Sequence, residues 1–287
     1  MRTIEDCPMI DFDPVIQDQQ YDPNFPASLM PAMFESSGCK ILGTMFLTAG
    51  EGPHPVIILM HGFPGNEVNY DLAQVFRRQG FNVLAFHYRG CWGSEGDYLW
   101  KNLVEDASSA ISFVKSDYAQ NNFRIDPNKI ILIGHSMGGF AALFNTIMYG
   151  EIKFAVSIAG FNAGMFGELI EKTKMIFDYS TAHMQPAMDF VKCDSADILL
   201  NELIANKKEW NLINHLEKLS WKNLLIIGAK FDTTAPMDIH HKPLVSALKM
   251  AGANNIEEVI LETGHSFSDK RIELARTISN WLSGIKF

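Results

Sequence analysis

"IILIGHSMGGFAALF", residues 130–144, decides how this chain is read. An apolar run of strand character enters Gly134-His135-Ser136-Met137-Gly138-Gly139, and beyond it apolar residues recur at helical spacing. A tight turn accounts for the glycines alone. A serine that must point out of a strained turn accounts for the glycines and the hydroxyl together. In G-x-S-x-G at a strand-to-helix junction, the small residues on either side leave room for the turn, and the turn exposes Oγ. The following N–H, that of Met137, opens the helix and faces any anion formed at the serine. Ser136 is therefore the candidate nucleophile. The alternative is a glycine-rich turn whose serine is incidental.

Working outward, strand-like and helix-like segments alternate from Lys40 onward. KILGTMFLT, PVIILM (55–60), FNVLAFHY (81–88), KIILIG (129–134), KFAVSIA (153–159), NLLIIGA (223–229) and IEEVIL (256–261) read as strands. Helical spacing appears at Val68, Leu72, Val75 and Phe76, over 101–118, from Met137 to Tyr149, and over 239–251 and 269–283. Such alternation predicts a mostly parallel central sheet with helices on both faces. Between Ala159 and Trp221 no strand signal occurs, while Phe166, Leu169, Ile170, Thr173, Ile176 and Phe177 keep a helical period. The expected organisation is an N-terminal extended segment (1–39), a core (40–160 and 221–287) and a helical cap insertion (161–220) over the carboxyl ends of the strands.

Composition narrows the function classes. The chain has 287 residues, 47% hydrophobic and 20% charged, enough for a sizeable core. A net charge of −9 without a basic cluster argues against a nucleic-acid partner. Cys7, Cys39, Cys91 and Cys193 form no C-x-x-C pair and read as free thiols of a reducing compartment. The N-terminal MRTIEDCPMIDFDP carries acids where a signal peptide needs an apolar run, and 130–144 is too short and too broken to span a bilayer. The expectation is a soluble, cytoplasmic protein with no membrane partner, no metal and no organic cofactor. Nothing in the sequence sets an oligomeric state.

A serine hydroxyl needs a base, and the base needs an orienting group. Of the nine histidines, His265 is best placed, in LETGHSFSD after the strand 256–261. Asp232, in NLLIIGAKFDTTAP, is the matching acid. Its competitors Asp238 and Asp269 read as acids at helix N-termini. An oxyanion also needs donors. HGFPG (61–65) follows a strand, and because Pro64 has no N–H, Phe63 N–H pairs with Met137 N–H as the expected oxyanion hole. His61 is expected to brace that loop. Gly90, Gly93 and Gly96 lack the dinucleotide fingerprint and read as a structural loop. Arg89 reads as a loop-holding ion pair more than as an anion site, and Glu67 as a solvated helix residue more than as an ammonium anchor. His240 and His241 are adjacent on a helix and point apart, against a metal site.

Together HGFPG, FHYRGCWGSEG (86–96), GHSMGG, the Asp232 loop and the GHS at 264–266 resemble the α/β-hydrolase superfamily. Within it the chain is similar to bacterial serine hydrolases related to dienelactone hydrolases and serine aminopeptidases, from about residue 40 to the end. The resemblance implies the α/β-hydrolase fold and a triad of Ser136, Asp232 and His265, in that order along the chain. The leading expectation is a serine hydrolase acting through an acyl-enzyme on small-molecule carboxylic esters. An aminopeptidase or amidase on the same residues, and a non-catalytic binding protein on the same fold, are the alternatives. No motif in 161–220 carries over, and the substrate is not specified by the resemblance.

Overall fold

Among the described residues, the alternating segments form one sheet of eight strands. They are β1 (Ser28–Ser36), β2 (Cys39–Leu47), β3 (His54–Met60), β4 (Asn82–Phe86), β5 (Ile125–His135), β6 (Phe154–Ile158), β7 (Asn223–Ala229) and β8 (Ile256–Leu261). Their spatial order is β1-β2-β4-β3-β5-β6-β7-β8. β2 pairs antiparallel with β1 and β4, and every other pair is parallel. A computed structural model describes residues 11–287, so readings that fall on residues 1–10, Cys7 among them, lie outside the described residues.

Among the described residues, eleven α-helices accompany the strands. α1 (Tyr70–Arg78), α2 (Trp100–Lys115), α3 (Asp117–Phe123) and α4 (Met137–Met148) follow the early strands. Between β6 and β7 run α5 (Ala163–Lys172), α6 (Lys174–Met184), α7 (Ala196–Asn206) and α8 (Leu216–Leu219), with 3-10 turns at Gln185–Phe190 and Leu212–His215. α9 (Met237–His240), α10 (Lys242–Met250) and α11 (Arg271–Ser283) complete the chain.

The period-2 pattern of the central strands divides the core in two. Val56, Ile58 and Met60 of β3, with Ile130 and Leu132 of β5, face α2, α4 and the inserted helices. Ile57, Leu59, Ile131 and Ile133 face α1 and α11. A central parallel sheet covered on both faces needs such continuous apolar runs. Leu199, Leu200 and Leu203 of α7 belong to the first cluster, so the inserted helices extend that core rather than forming one of their own.

Three boundaries differ from the sequence reading. The sheet begins at Ser28, ahead of Lys40, because SLMPAMFES pairs with β2 along its whole length. That edge strand buries only Ala32, Phe34 and Ser36 and contains Pro31, so its alternation is weak in the sequence. α1 starts at Tyr70, which leaves Val68 and Glu67 outside a helix. The helical stretch 239–251 is broken at His241, between α9 and α10. Cys39, Cys91 and Cys193 are free thiols. Among the described residues no helix is long and apolar enough to cross a membrane.

Candidate active site

The junction of β5 and α4 holds Ser136 at φ 55°, ψ −120°. A non-glycine residue in such a conformation costs of order 1–3 kcal/mol and persists only when its surroundings over-determine it. Here they do. Ser136 N–H donates to Ile158 O at 2.8 Å, and its carbonyl accepts from Gly139 N–H at 2.9 Å and Phe161 N–H at 3.0 Å. A Cβ at Gly138 would run into the Met60 carbonyl, so the turn closes only with glycine there.

The structure brings His265 and Asp232 together. His265 Nδ1 lies 2.6 Å from Asp232 Oδ2, and the aspartate side chain is 1% exposed. Its other oxygen, Oδ1, accepts from Thr234 N–H and Ala235 N–H, both at 2.8 Å. Two backbone donors and one imidazole therefore fix the carboxylate in the loop after β7. The competing acids are engaged elsewhere. Asp238 is exposed and pairs with Lys242 at 2.6 Å, one turn along the same surface. Asp269 takes the hydroxyl of Thr263.

The loop after β3 passes directly over the serine. A Cβ on Gly62 would come within 2.9 Å of Ser136 Cβ, so glycine permits this close approach of the loop to Ser136. Among the described residues, no hydrogen bond uses the N–H of Phe63 or of Met137. Met137 N–H is the first of α4 and lacks an intrahelical acceptor by construction of the helix. Tyr98 sits between the two residues, its hydroxyl 2.5 Å from Met137 Sδ and its ring 5.6 Å from that of Phe63.

Three buried histidines brace the site. His61 Nδ1 meets Gly62 O at 2.7 Å, His135 Nε2 meets His265 O at 2.9 Å, and His240 Nδ1 accepts Asn162 N–H at 3.0 Å. Burial pushes each of them down to about 3, so all three are neutral imidazoles at neutral pH. The sequence reading gave His61 its bracing place but missed His135 and His240. His135 occupies the unspecified position of G-x-S-x-G, and no sequence signal links it to His265.

The remaining candidates resolve as structural. Arg89 is buried, with its Nε 2.6 Å from Asp106 and an Nη 2.7 Å from Glu105, so its guanidinium is spent holding the loop. Gly90, Gly93 and Gly96 have φ of 70°, 95° and 83°, the backbone of that same loop. Glu67 accepts Asn69 N–H at 2.7 Å ahead of α1 rather than riding on the helix. His241 meets Glu258 at 3.0 Å, and among the described residues no cluster of three His, Cys, Asp or Glu could hold a metal ion. Grooves of about 270, 550 and 700 Å³ elsewhere on the surface are lined by none of Ser136, Asp232, His265, Phe63 or Met137.

The sheet order, the strained serine turn and the histidine–aspartate pair define an α/β-hydrolase. A profile described as the alpha/beta hydrolase family matches residues 57–276, and the chain belongs to that family. It is similar to protein YfhR of Salmonella typhimurium, 26% identical over 147 residues, 49% of this chain and 47% of that protein. The chain thus spans about half the length of that relative. It is also similar to esterase YjfP of Escherichia coli K12, 24% identical over 65% of this chain and 72% of that one. Among solved structures, the acylaminoacyl peptidase of Pyrococcus horikoshii superposes with a TM-score of 0.67 at 18% identity, covering 89% of this chain and 41% of that one. At that identity the likeness is one of fold.

Proposed function

We propose that this protein is a serine hydrolase that cleaves small or medium carboxylic esters through an acyl-enzyme. The observation that carries the reading is the 2.6 Å contact of His265 Nδ1 with a buried Asp232, on a loop held 2.9 Å from His135, the neighbour of Ser136. Ser136 Oγ attacks the ester carbonyl while His265 Nε2 takes its proton. Asp232 holds the imidazole in the tautomer that leaves Nε2 free to accept, and it stabilises the imidazolium that forms. The tetrahedral oxyanion receives the N–H groups of Phe63 and Met137. Collapse expels the alcohol, which takes the proton from His265. Water then repeats the sequence on the acyl-enzyme and returns Ser136.

In this reading residues 161–220 form a cap that walls the acyl pocket, while 40–160 and 221–287 carry the chemistry. No metal or organic cofactor takes part in any step. An ester is favoured over a peptide because an amine is a poor leaving group and requires protonation at a well-placed His265. The carboxylate of Glu67, the candidate the sequence offers for a substrate ammonium, accepts Asn69 N–H. The name of the E. coli relative YjfP points the same way. The test compares kcat/KM for p-nitrophenyl butyrate with that for aminoacyl p-nitroanilides. A clear preference for the ester is expected, and a preference for the anilides would move the protein to an amidase or aminopeptidase on the same residues.

A further inference from the structure

The glycine loop after β4 carries an aromatic residue that the triad does not use. Trp92 adopts φ 46°, a backbone region unfavourable for a bulky side chain, and the residue remains 44% exposed. A tryptophan that served only to fill a core would be buried. Instead its Nε1–H donates to Pro64 O at 2.9 Å, the carbonyl one residue beyond Phe63. Gly65, at φ 97°, leaves the space for this contact, since a Cβ there would come within 2.7 Å of both Trp92 Nε1 and His61 Cε1. The HGFPG loop is thus gripped between a buried imidazole on one side and the indole on the other.

The other face of the indole meets the inserted helices. Trp92 and Phe190, the last residue of the 3-10 turn Gln185–Phe190, stack with ring centroids 5.7 Å apart and planes 20° apart. The backbones are joined beside them. Cys91 and Val191 form an antiparallel bridge, Lys192 N–H donates to Gly90 O at 2.7 Å, and Tyr98 N–H donates to Lys192 O at 2.8 Å. A single side chain therefore touches the residue next to the oxyanion donor and the inserted segment at once.

We propose that Trp92 is a positioning residue that couples the 161–220 insertion to the oxyanion loop, setting the direction of Phe63 N–H through Pro64. This rests on the reading of Phe63 as an oxyanion donor. A donor is effective only when aimed at the place where charge develops, so a small rotation of the loop lowers turnover and leaves ground-state binding nearly unchanged. Trp92→Phe keeps an aromatic ring for Phe190 and removes the indole N–H. Phe190→Ala keeps the N–H and removes the stack.

The experiment measures kcat and KM for p-nitrophenyl butyrate and amide exchange of the peptide covering 61–66, in the full chain. Trp92→Phe is expected to lower kcat about tenfold with KM within about twofold, and to speed exchange in 61–66. Phe190→Ala should lower kcat about threefold. The double variant should cost less than the product of the two single effects, because both act through one indole. Unchanged exchange together with unchanged kcat in Trp92→Phe would overturn the proposal. So would a fall in kcat accompanied by global destabilisation and unchanged exchange in 61–66 below the transition. Fluorophosphonate labelling, with Ser136→Ala as its control, reports separately on the hydrolase reading. If the wild type fails to label while exchange in 61–66 still responds to Trp92→Phe, the hydrolase reading fails and the mechanical coupling stands.

Discussion

In α4 every residue from Met137 to Ile147 is buried, whereas in α6 none is. The two helices stand for two kinds of region. Around the β5–α4 junction, glycines, carbonyls and apolar side chains pack closely, so a serine can be held in a conformation that a loose turn would relax. α6 touches the core only through half-buried Ile176, Phe177 and Met184, and it exposes Met175 and Tyr179. A helix held in this way can shift or be replaced without disturbing the sheet. On the proposed function, the chemistry falls to the tightly packed region and the choice of substrate to the loosely packed one.

Breaking the packed region gives the largest effects. Ser136→Ala is expected to leave a folded protein that has lost turnover by about 10⁶-fold, as serine hydrolases do when the nucleophile is removed. Fluorophosphonate labelling should vanish with it, and unchanged labelling would reject Ser136 as nucleophile. Asp232→Asn should cost about 10⁴-fold through the wrong imidazole tautomer, with little change in KM. Asp238→Asn, whose partner is the exposed Lys242, should stay within about twofold. If the order of these two variants were reversed, the orienting acid would be misassigned.

The buried histidines make the same region sensitive to acid. His61, His135 and His240 titrate at about 3 in the fold against 6.5 for an ordinary imidazole. Between those values the unfolded chain binds more protons than the native state, so stability falls as pH falls from 6.5 toward 3. Three protons give a slope approaching about 4 kcal/mol per pH unit within that window. Above pH 6.5 the three groups are neutral in both states and contribute no slope. Urea unfolding at pH 7, 6 and 5 measures it, and His135→Gln should flatten it by up to about 1.4 kcal/mol per pH unit. A flat stability across this range would mean that these imidazoles are not buried as neutral groups.

The smallest effects should come from the insertion. Phe177→Ala and Met184→Ala remove half-buried surface and should cost about 1 kcal/mol or less of stability. They should nevertheless change the ratio of kcat/KM between p-nitrophenyl acetate and p-nitrophenyl octanoate by about threefold, less than the roughly tenfold or more that a fully enclosed methylene is worth, because these side chains are only half-buried. Variants that lowered Tm and left the ratio untouched would remove the insertion from substrate choice.

How much of this was legible in advance differs residue by residue. By itself the sequence determined the parallel sheet, the serine turn and the chain order of Ser136, Asp232 and His265. These rest on consecutive residues: apolar runs at a fixed period, glycines where a turn admits no Cβ, and polar residues just past strand ends. Only the tertiary structure decided the rest. The edge strand Ser28–Ser36 is defined by its pairing with β2, and its own residues are mostly exposed. Glu202 of α7 accepts the N–H groups of Trp100 and Lys101 at the start of α2, a cap supplied from another part of the chain. His135 reaches the carbonyl of His265, and Trp92 reaches both Pro64 and Phe190. Apart from the β1–β2 hairpin, each of these contacts joins residues that are distant in sequence, and only the topology of the sheet brings them together. A local pattern can state what a turn requires of its own residues, but it carries no record of which distant donor will find it.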